Sequence, residues 1–257
     1  MKAFLIDVAR CNGCHNCQIA CKDEHCGTDW PPYAAAQPLT GQFWCRVEEK
    51  VRGTVPKVRM NYIPHIDGQN DKLAEAAADV LIPRDDGLVV IDPQKAKGRK
   101  DLAEFDGVYW NEELQIPQTC TGCAHLLDDG WTVPRCVDAC PTHALTFGEE
   151  DELDLEGAEQ LSEGSHVWYL NLPKRFVTGC IVDFDAREVA IGTPVQLLDS
   201  SKEVVAEQET DEFGDFMFDQ VKADAYTVRY KTLDGAWKEC DADANEVDVN
   251  LGDISAA

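Results

Sequence analysis

Apolar residues crowd the start of the chain as Phe4, Leu5, Ile6 and Val8, a pattern that predicts a strand over roughly the first ten residues. A short helical stretch is expected over Gln18–Glu24. The segment 28–42, TDWPPYAAAQPLTGQ, has no period and reads as an irregular wrapping segment. A strand is expected over Phe43–Val51. Residues 71–80, DKLAEAAADV, are Ala-rich and open at Asn70 or Asp71, both good helix caps, so they predict a helix. Residues 87–92, GLVVID, predict a strand, Pro93 opens a short helix over DPQKAKGRKDL, and Val108–Trp110 predicts one more short strand.

The texture then changes twice. From Glu149 to Glu163 the sequence is acidic, with helical periodicity only in its second half, as expected of a solvated connector. From about Arg175 onward, short alternating runs such as FVTGCIVDF, GDFMFDQV and AYTVRYKT are separated by turn residues at regular intervals, which predicts an all-β sandwich. Phe216 and Phe218 alternate with polar neighbours, so one face of their strand should be buried. The fold class expected is therefore α+β: a domain over 1–150, an acidic linker over 151–173 and a small β-sandwich over 174–257.

At 257 residues and 44% hydrophobic content, the protein can build a core in each of two domains. It lacks an apolar run of membrane-spanning length, so no membrane span is expected. The opening MKAFLIDVAR carries no small-residue cleavage site, so a cytoplasmic protein without a signal peptide is expected. With 23 Lys and Arg against 48 Asp and Glu, the net charge of -25 repels phosphate backbones and anionic lipid surfaces, which argues against nucleic acid as a partner.

Eight of the twelve cysteines fall in two compact groups, unlike the dispersed cysteines of a disulfide scaffold. The first is Cys11, Cys14, Cys17 and Cys21, spaced C-x-x-C-x-x-C-x-x-x-C. This is the run of two-cluster bacterial ferredoxins, in which three cysteines wrap one cube and the fourth ligates the other. Gly13 lets the backbone turn within it. The second group is Cys120, Cys123, Cys136 and Cys140, the last followed by Pro141. Crossing the fourth ligands gives cluster one on Cys11, Cys14, Cys17 and Cys140, and cluster two on Cys120, Cys123, Cys136 and Cys21. The first domain is then a ferredoxin-like domain holding two [4Fe-4S] clusters, with folding coupled to their insertion. Zinc is the alternative, since tetrahedral sites also use C-x-x-C pairs, but three successive two-residue spacings and the Cys-Pro ending favour iron and sulfide.

His15 and His125 adjoin cluster cysteines and are candidates for tuning potentials, against a plain packing role. Cys26, Cys45, Cys180 and Cys240 read as small hydrophobes, and His65 and Asp67 stand too alone to be ligands. No catalytic set is found: there is no nucleophile elbow, P-loop or dinucleotide fingerprint. Electron carriers without a substrate site imply chemistry on another subunit.

With these residues the sequence resembles the iron–sulfur subunits of the dimethyl sulfoxide reductase family of molybdopterin oxidoreductases, and within it the small subunits of pyrogallol–phloroglucinol transhydroxylases. The resemblance is carried by Asp23-Glu24-His25, Trp30-Pro31, DDGLVVIDPQKAKGRKDL, Val108 to Glu113, and CTGCAHLLDDGW, and it extends into the C-terminal domain. It implies a large catalytic partner carrying a molybdenum bis-pterin cofactor, a hydroxylated aromatic substrate and an external electron carrier. Subunits of this family usually have two further cysteine groups, whereas residues 46–119 contain no cysteine, so the middle clusters should be absent. The function expected is short-range electron transfer. The alternative is a structural subunit whose clusters staple the fold without net electron transfer.

Overall fold

The computed structural model describes all 257 residues, which separate into two compact units. One comprises Met1–Lys50 and Asn61–Leu172, the other Val51–Met60 and Pro173–Ala257. In sequence order the elements begin with β1 (Lys2–Asp7), α1 (Asn16–His25), β2 (Cys45–Thr54), β3 (Lys57–Ile66) and α2 (Asp71–Ala76). There follow β4 (Tyr109–Asn111), β5 (Ile116–Gln118), α3 (Ala124–Asp128), α4 (Arg135–Asp138), β6 (Leu145–Glu149) and β7 (Val167–Leu170). The remainder is β8 (Arg175–Asp183), β9 (Glu188–Val189), β10 (Pro194–Leu198), β11 (Val204–Glu209), β12 (Asp215–Val221), β13 (Ala225–Lys231), β14 (Trp237–Asp243) and β15 (Val249–Ser255). The protein is mostly β, with few and short helices.

In the first unit β1 is the central strand of three, antiparallel to β6 and parallel to β7. Its run Ala3–Ile6 is buried throughout, as suits a strand covered on both faces. Phe4 meets Phe147 of β6 with ring centroids 4.8 Å apart. This core takes in Trp44 and Val90 together with Cys17, Cys21, Cys120, Cys136 and Cys140. A second, smaller core gathers Leu73, Val89, Leu102 and Val108.

The helix expected over 71–80 stops at Ala76: the Asn70 side chain accepts from the Leu73 amide to start it, but turns follow from Ala77. Residues 87–92 do not form a strand but make one antiparallel bridge, Ile91 opposite Leu81, because the Val89 N–H and C=O both bond to the side chain of Gln69. The stretch after Pro93 is a turn, tightened by Asp92 accepting from the amides of Gln94 and Lys95, and only Lys100–Glu104 forms a short 3-10 helix. The strand β3 has no counterpart among the elements expected. The acidic stretch expected as a linker contributes β7, which is hydrogen-bonded to β1, so the polypeptide re-enters the first sheet before leaving for the second unit.

In the second unit β11, β10, β13 and β14 form one sheet, and β12, β8 and β15, with β9 paired to β8, form another. Phe216 and Phe218 of β12 lie in the same apolar core as Val177 and Ile181 of β8, Val195 and Leu197 of β10, and Val228 of β13. The hairpin tip 51–60 belongs to this unit, where Lys57 pairs with Asp215 and Arg52 lies 3.5 Å from Asp248.

Candidate metal centre

Both cysteine groups are built by the same local device. After β1, the 3-10 turn Val8–Arg10 is capped by Asp7, which accepts from Ala9. The backbone then turns through Gly13 and His15, both left-handed, before α1 begins. Asn12 accepts from the Cys14 amide at 3.2 Å, holding the loop closed. In the second group Gly122 and Cys123 take the left-handed conformation, and the Gly122 amide donates to the Cys120 sulfur at 3.3 Å. The two turns read Cys-Asn-Gly-Cys and Cys-Thr-Gly-Cys, so each glycine supplies a backbone sense that a β-carbon would resist.

The β1–β6 ladder brings the two groups to one end of the sheet. Ile6 is in register with Leu145, and the Asp7 amide donates to the Ala144 carbonyl at 2.8 Å. Cys11 therefore leaves this end of the ladder where Cys140 arrives. The helix α1, which carries Cys17 and Cys21, packs against α4, which carries Cys136.

The thiols sort into two neighbourhoods. Cys11 is pushed up by burial and by the nearby Cys17, Cys140 and Cys14. Cys21 is pushed well up by burial, and its neighbours are Cys136, Cys120 and Cys123. Burial raises Cys123 as well, and carries Cys120 up to about 12. Cys17 moves the other way, down to about 7, because it accepts a hydrogen bond from the Cys45 thiol. No cysteine is in a disulfide, and Cys14 is the one exposed member of the eight. Thiols this desolvated resist ionisation on their own, so a bound cationic metal is what would stabilise them as thiolates. The donor set thus fits sulfur-ligated metal. Nowhere do three His, Cys, Asp or Glu side chains converge closely enough to hold a single ion.

Of the other sequence candidates, His125 directs Nε2 to Glu24 at 3.1 Å and stacks on Trp30, and His15 bonds Glu49 and Gln18. His65 pairs with Glu48 and Asp67 with Arg46, and both line a cavity of about 330 Å³ with Lys72 and Tyr169. Cys26 faces the Pro38 carbonyl, while Cys180 and Cys240 belong to the second unit. Three residues at the centre carry more than the sequence pattern shows. Cys45, 1% exposed, hydrogen-bonds Cys136 and Cys17 and so stands between the two sets. The buried Gln69 amide donates to the carbonyls of Cys120 and Val89, at 2.7 and 3.0 Å, and pins the second loop. His25 is buried, its basicity cut by desolvation to about 3, and its Nε2 lies 3.9 Å from the Cys123 sulfur. A signal for His25 was available: it follows Cys21 by four residues, one helical turn on the same face.

Sheet end, turns and thiols define a class, the cysteine-ligated iron–sulfur domains, and residues 70–150 match the family model described as a 4Fe-4S dicluster domain. The sequence is 38% identical over 247 residues to the pyrogallol hydroxytransferase small subunit of Pelobacter acidigallici, covering 88% of each protein. It is 26% identical to the B subunit of the tetrathionate reductase of Salmonella typhimurium, over 68% of this protein and 74% of that one. It is 29% identical to the B component of the anaerobic dimethyl sulfoxide reductase of Escherichia coli, over 58% of this protein and 74% of that one. The protein belongs to the iron–sulfur small-subunit family of dimethyl sulfoxide reductase-type molybdopterin oxidoreductases, the electron-transfer subunits of those enzymes.

Proposed function

We propose that this chain holds two [4Fe-4S] clusters, one on Cys11, Cys14, Cys17 and Cys140, the other on Cys120, Cys123, Cys136 and Cys21. It serves a large catalytic subunit that carries a molybdenum bis-pterin cofactor and acts on a hydroxylated aromatic, as the name of the pyrogallol hydroxytransferase relative suggests. The observation that carries this reading is the sorting of eight thiols into two sets, each completed by one cysteine from the other half of the sequence. A ferredoxin-like arrangement of the first unit, ahead of a β-sandwich, fits that crossing. Bound there, the two clusters would each accept and release one electron at a time.

The protein's own residues do the holding. The desolvated thiols make cluster insertion and folding of the first unit one event. The exposure of Cys14 leaves one cluster near the surface of the protein, where it can exchange electrons with the catalytic subunit or an external carrier. Unpaired clustered cysteines suit the reducing cytoplasm. No helix is long and apolar enough to cross a membrane.

A relative named a hydroxytransferase favours a second reading, in which the clusters staple the fold while the partner moves a hydroxyl group. One experiment separates the two. The clusters of the assembled complex are reduced anaerobically, substrate is added, and reoxidation is timed against turnover. Reoxidation at the turnover rate supports electron transfer; clusters that stay reduced through many turnovers support the staple.

A further inference from the structure

His25 closes α1 with its ring turned inward, 1% exposed. Its backbone is fixed where the Gln37 amide donates to its carbonyl at 2.9 Å. Trp44 lies over the imidazole with centroids 4.7 Å apart, and the ring of His125 meets it nearly edge-on at 5.2 Å. Trp30 in turn stacks on His125 at 4.4 Å. The imidazole is therefore packed against two aromatic rings with Nε2 3.9 Å from the Cys123 sulfur, while Nδ1 is buried with no hydrogen-bond partner.

We infer that His25 is a positioning residue that donates a hydrogen bond from Nε2 to the sulfur of Cys123 and thereby raises the reduction potential of the cluster on the Cys21, Cys120, Cys123 and Cys136 set. The inference rests on the two-cluster reading above. A metal-bound cysteine sulfur has no proton and only accepts. A proton on Nε2 satisfies that sulfur and leaves a bare lone pair at Nδ1. The other tautomer would bury an unpaired N–H and aim a lone pair at a negative sulfur, so the site selects the donor form. An added electron makes the sulfurs more negative, so a fixed donor stabilises the reduced state more than the oxidised one. His125 gives its Nε2 to Glu24 and His15 bonds Glu49 and Gln18, so neither duplicates this contact. The effect is specific to one cluster.

The test uses the full-length protein purified anaerobically, assayed first for iron and sulfide, then titrated with EPR detection. His25→Phe removes the donor and keeps a flat ring, and His25→Gln restores an N–H at similar reach. In His25→Phe the reduction equilibrium of one cluster should fall about tenfold, which is about 59 mV for one electron. The other cluster should be unmoved, and His25→Gln should recover most of the loss. Unchanged midpoints in a fully loaded His25→Phe protein, or a shift that His25→Gln leaves uncorrected, would overturn the inference. Should His25→Phe fail to load, pulsed EPR on the wild-type protein labelled with ¹⁵N-histidine decides: one reduced cluster should couple to a histidine nitrogen, with the coupling lost in His25→Gln. No such coupling in the wild type, or its survival in His25→Gln, would overturn the inference. A wild-type protein loading well under about eight irons defeats the two-cluster reading instead, and the initial assay reveals it.

Discussion

Gly13 lies flat against the ring of Tyr62, so close that a β-carbon on it would stand 2.3 Å from the ring. Its φ of +70° adds a second demand for glycine. Gly13→Ala should cost about 1–2 kcal/mol in backbone conformation alone, with displacement of the Tyr62 ring in addition. The loop carrying Cys11 and Cys14 should open, and iron content after anaerobic reconstitution should fall by about half.

The proposed crossing of ligands makes a sharper forecast. Cys140 lies beside Cys136 in sequence but neighbours Cys11 in space. Cys140→Ala should therefore alter the same EPR signal as Cys14→Ala, while Cys21→Ala should alter the signal affected by Cys123→Ala. Spectra of the four variants, each compared with the wild type, check this; a pairing of Cys140 with Cys123 instead would contradict it.

Gln69 makes three hydrogen bonds in a buried setting, to both polar groups of Val89 and to the Cys120 carbonyl. Gln69→Leu keeps the bulk and strands all three partners, so it should destabilise the first unit by about 2–4 kcal/mol. A lower thermal midpoint, with cluster absorbance lost at the same temperature, would show that the loop and its metal fail together.

Arg84 binds Asp86 and reaches Asp128 at 2.9 Å, and these contacts, with Tyr33, hold Asp128 down at about 2 against an ordinary 3.8. A depressed carboxylate contributes stability that is complete above the unfolded value and is lost as the pH falls through the folded one. The penalty of Arg84→Gln should therefore be level from about pH 8 to pH 5 and begin to shrink only below about 4. Thermal midpoints of the two proteins across that range test the sign. The exposure of Asp128 keeps the penalty small.

How much of this was written in the sequence depends on distance along the polypeptide. The cysteine groups, α1 and the strand β1 were legible because their signals are local: fixed spacing, a glycine between paired cysteines, a compact apolar run. The stretch 87–92 forms no more than a single bridge at Ile91 for a long-range reason, since both backbone groups of Val89 are taken by Gln69 some twenty residues earlier. His25 is legible only as part of the Asp23-Glu24-His25 motif, and its contact with Cys123 is not, because that partner lies 98 residues away. Cys45 looked like an isolated thiol for the same cause: only the folded protein brings it between Cys17 and Cys136. The strand β3 does alternate in the sequence, with Val58, Met60 and Tyr62 set between polar residues, but Val58 and Met60 are exposed in the fold and Pro64 interrupts the run.

The pairing of β1 with β6 also has a consequence for how the protein is made. The first four thiols leave the ribosome early, yet Ile6 cannot find Leu145 until more than half of the polypeptide has been translated. During that interval the nascent polypeptide presents an incomplete set of ligands, vulnerable to oxidation. On the proposed ligand sets, delivery of iron and sulfide would fall at a late stage of biogenesis, and a translation product truncated before Cys120 should hold no iron.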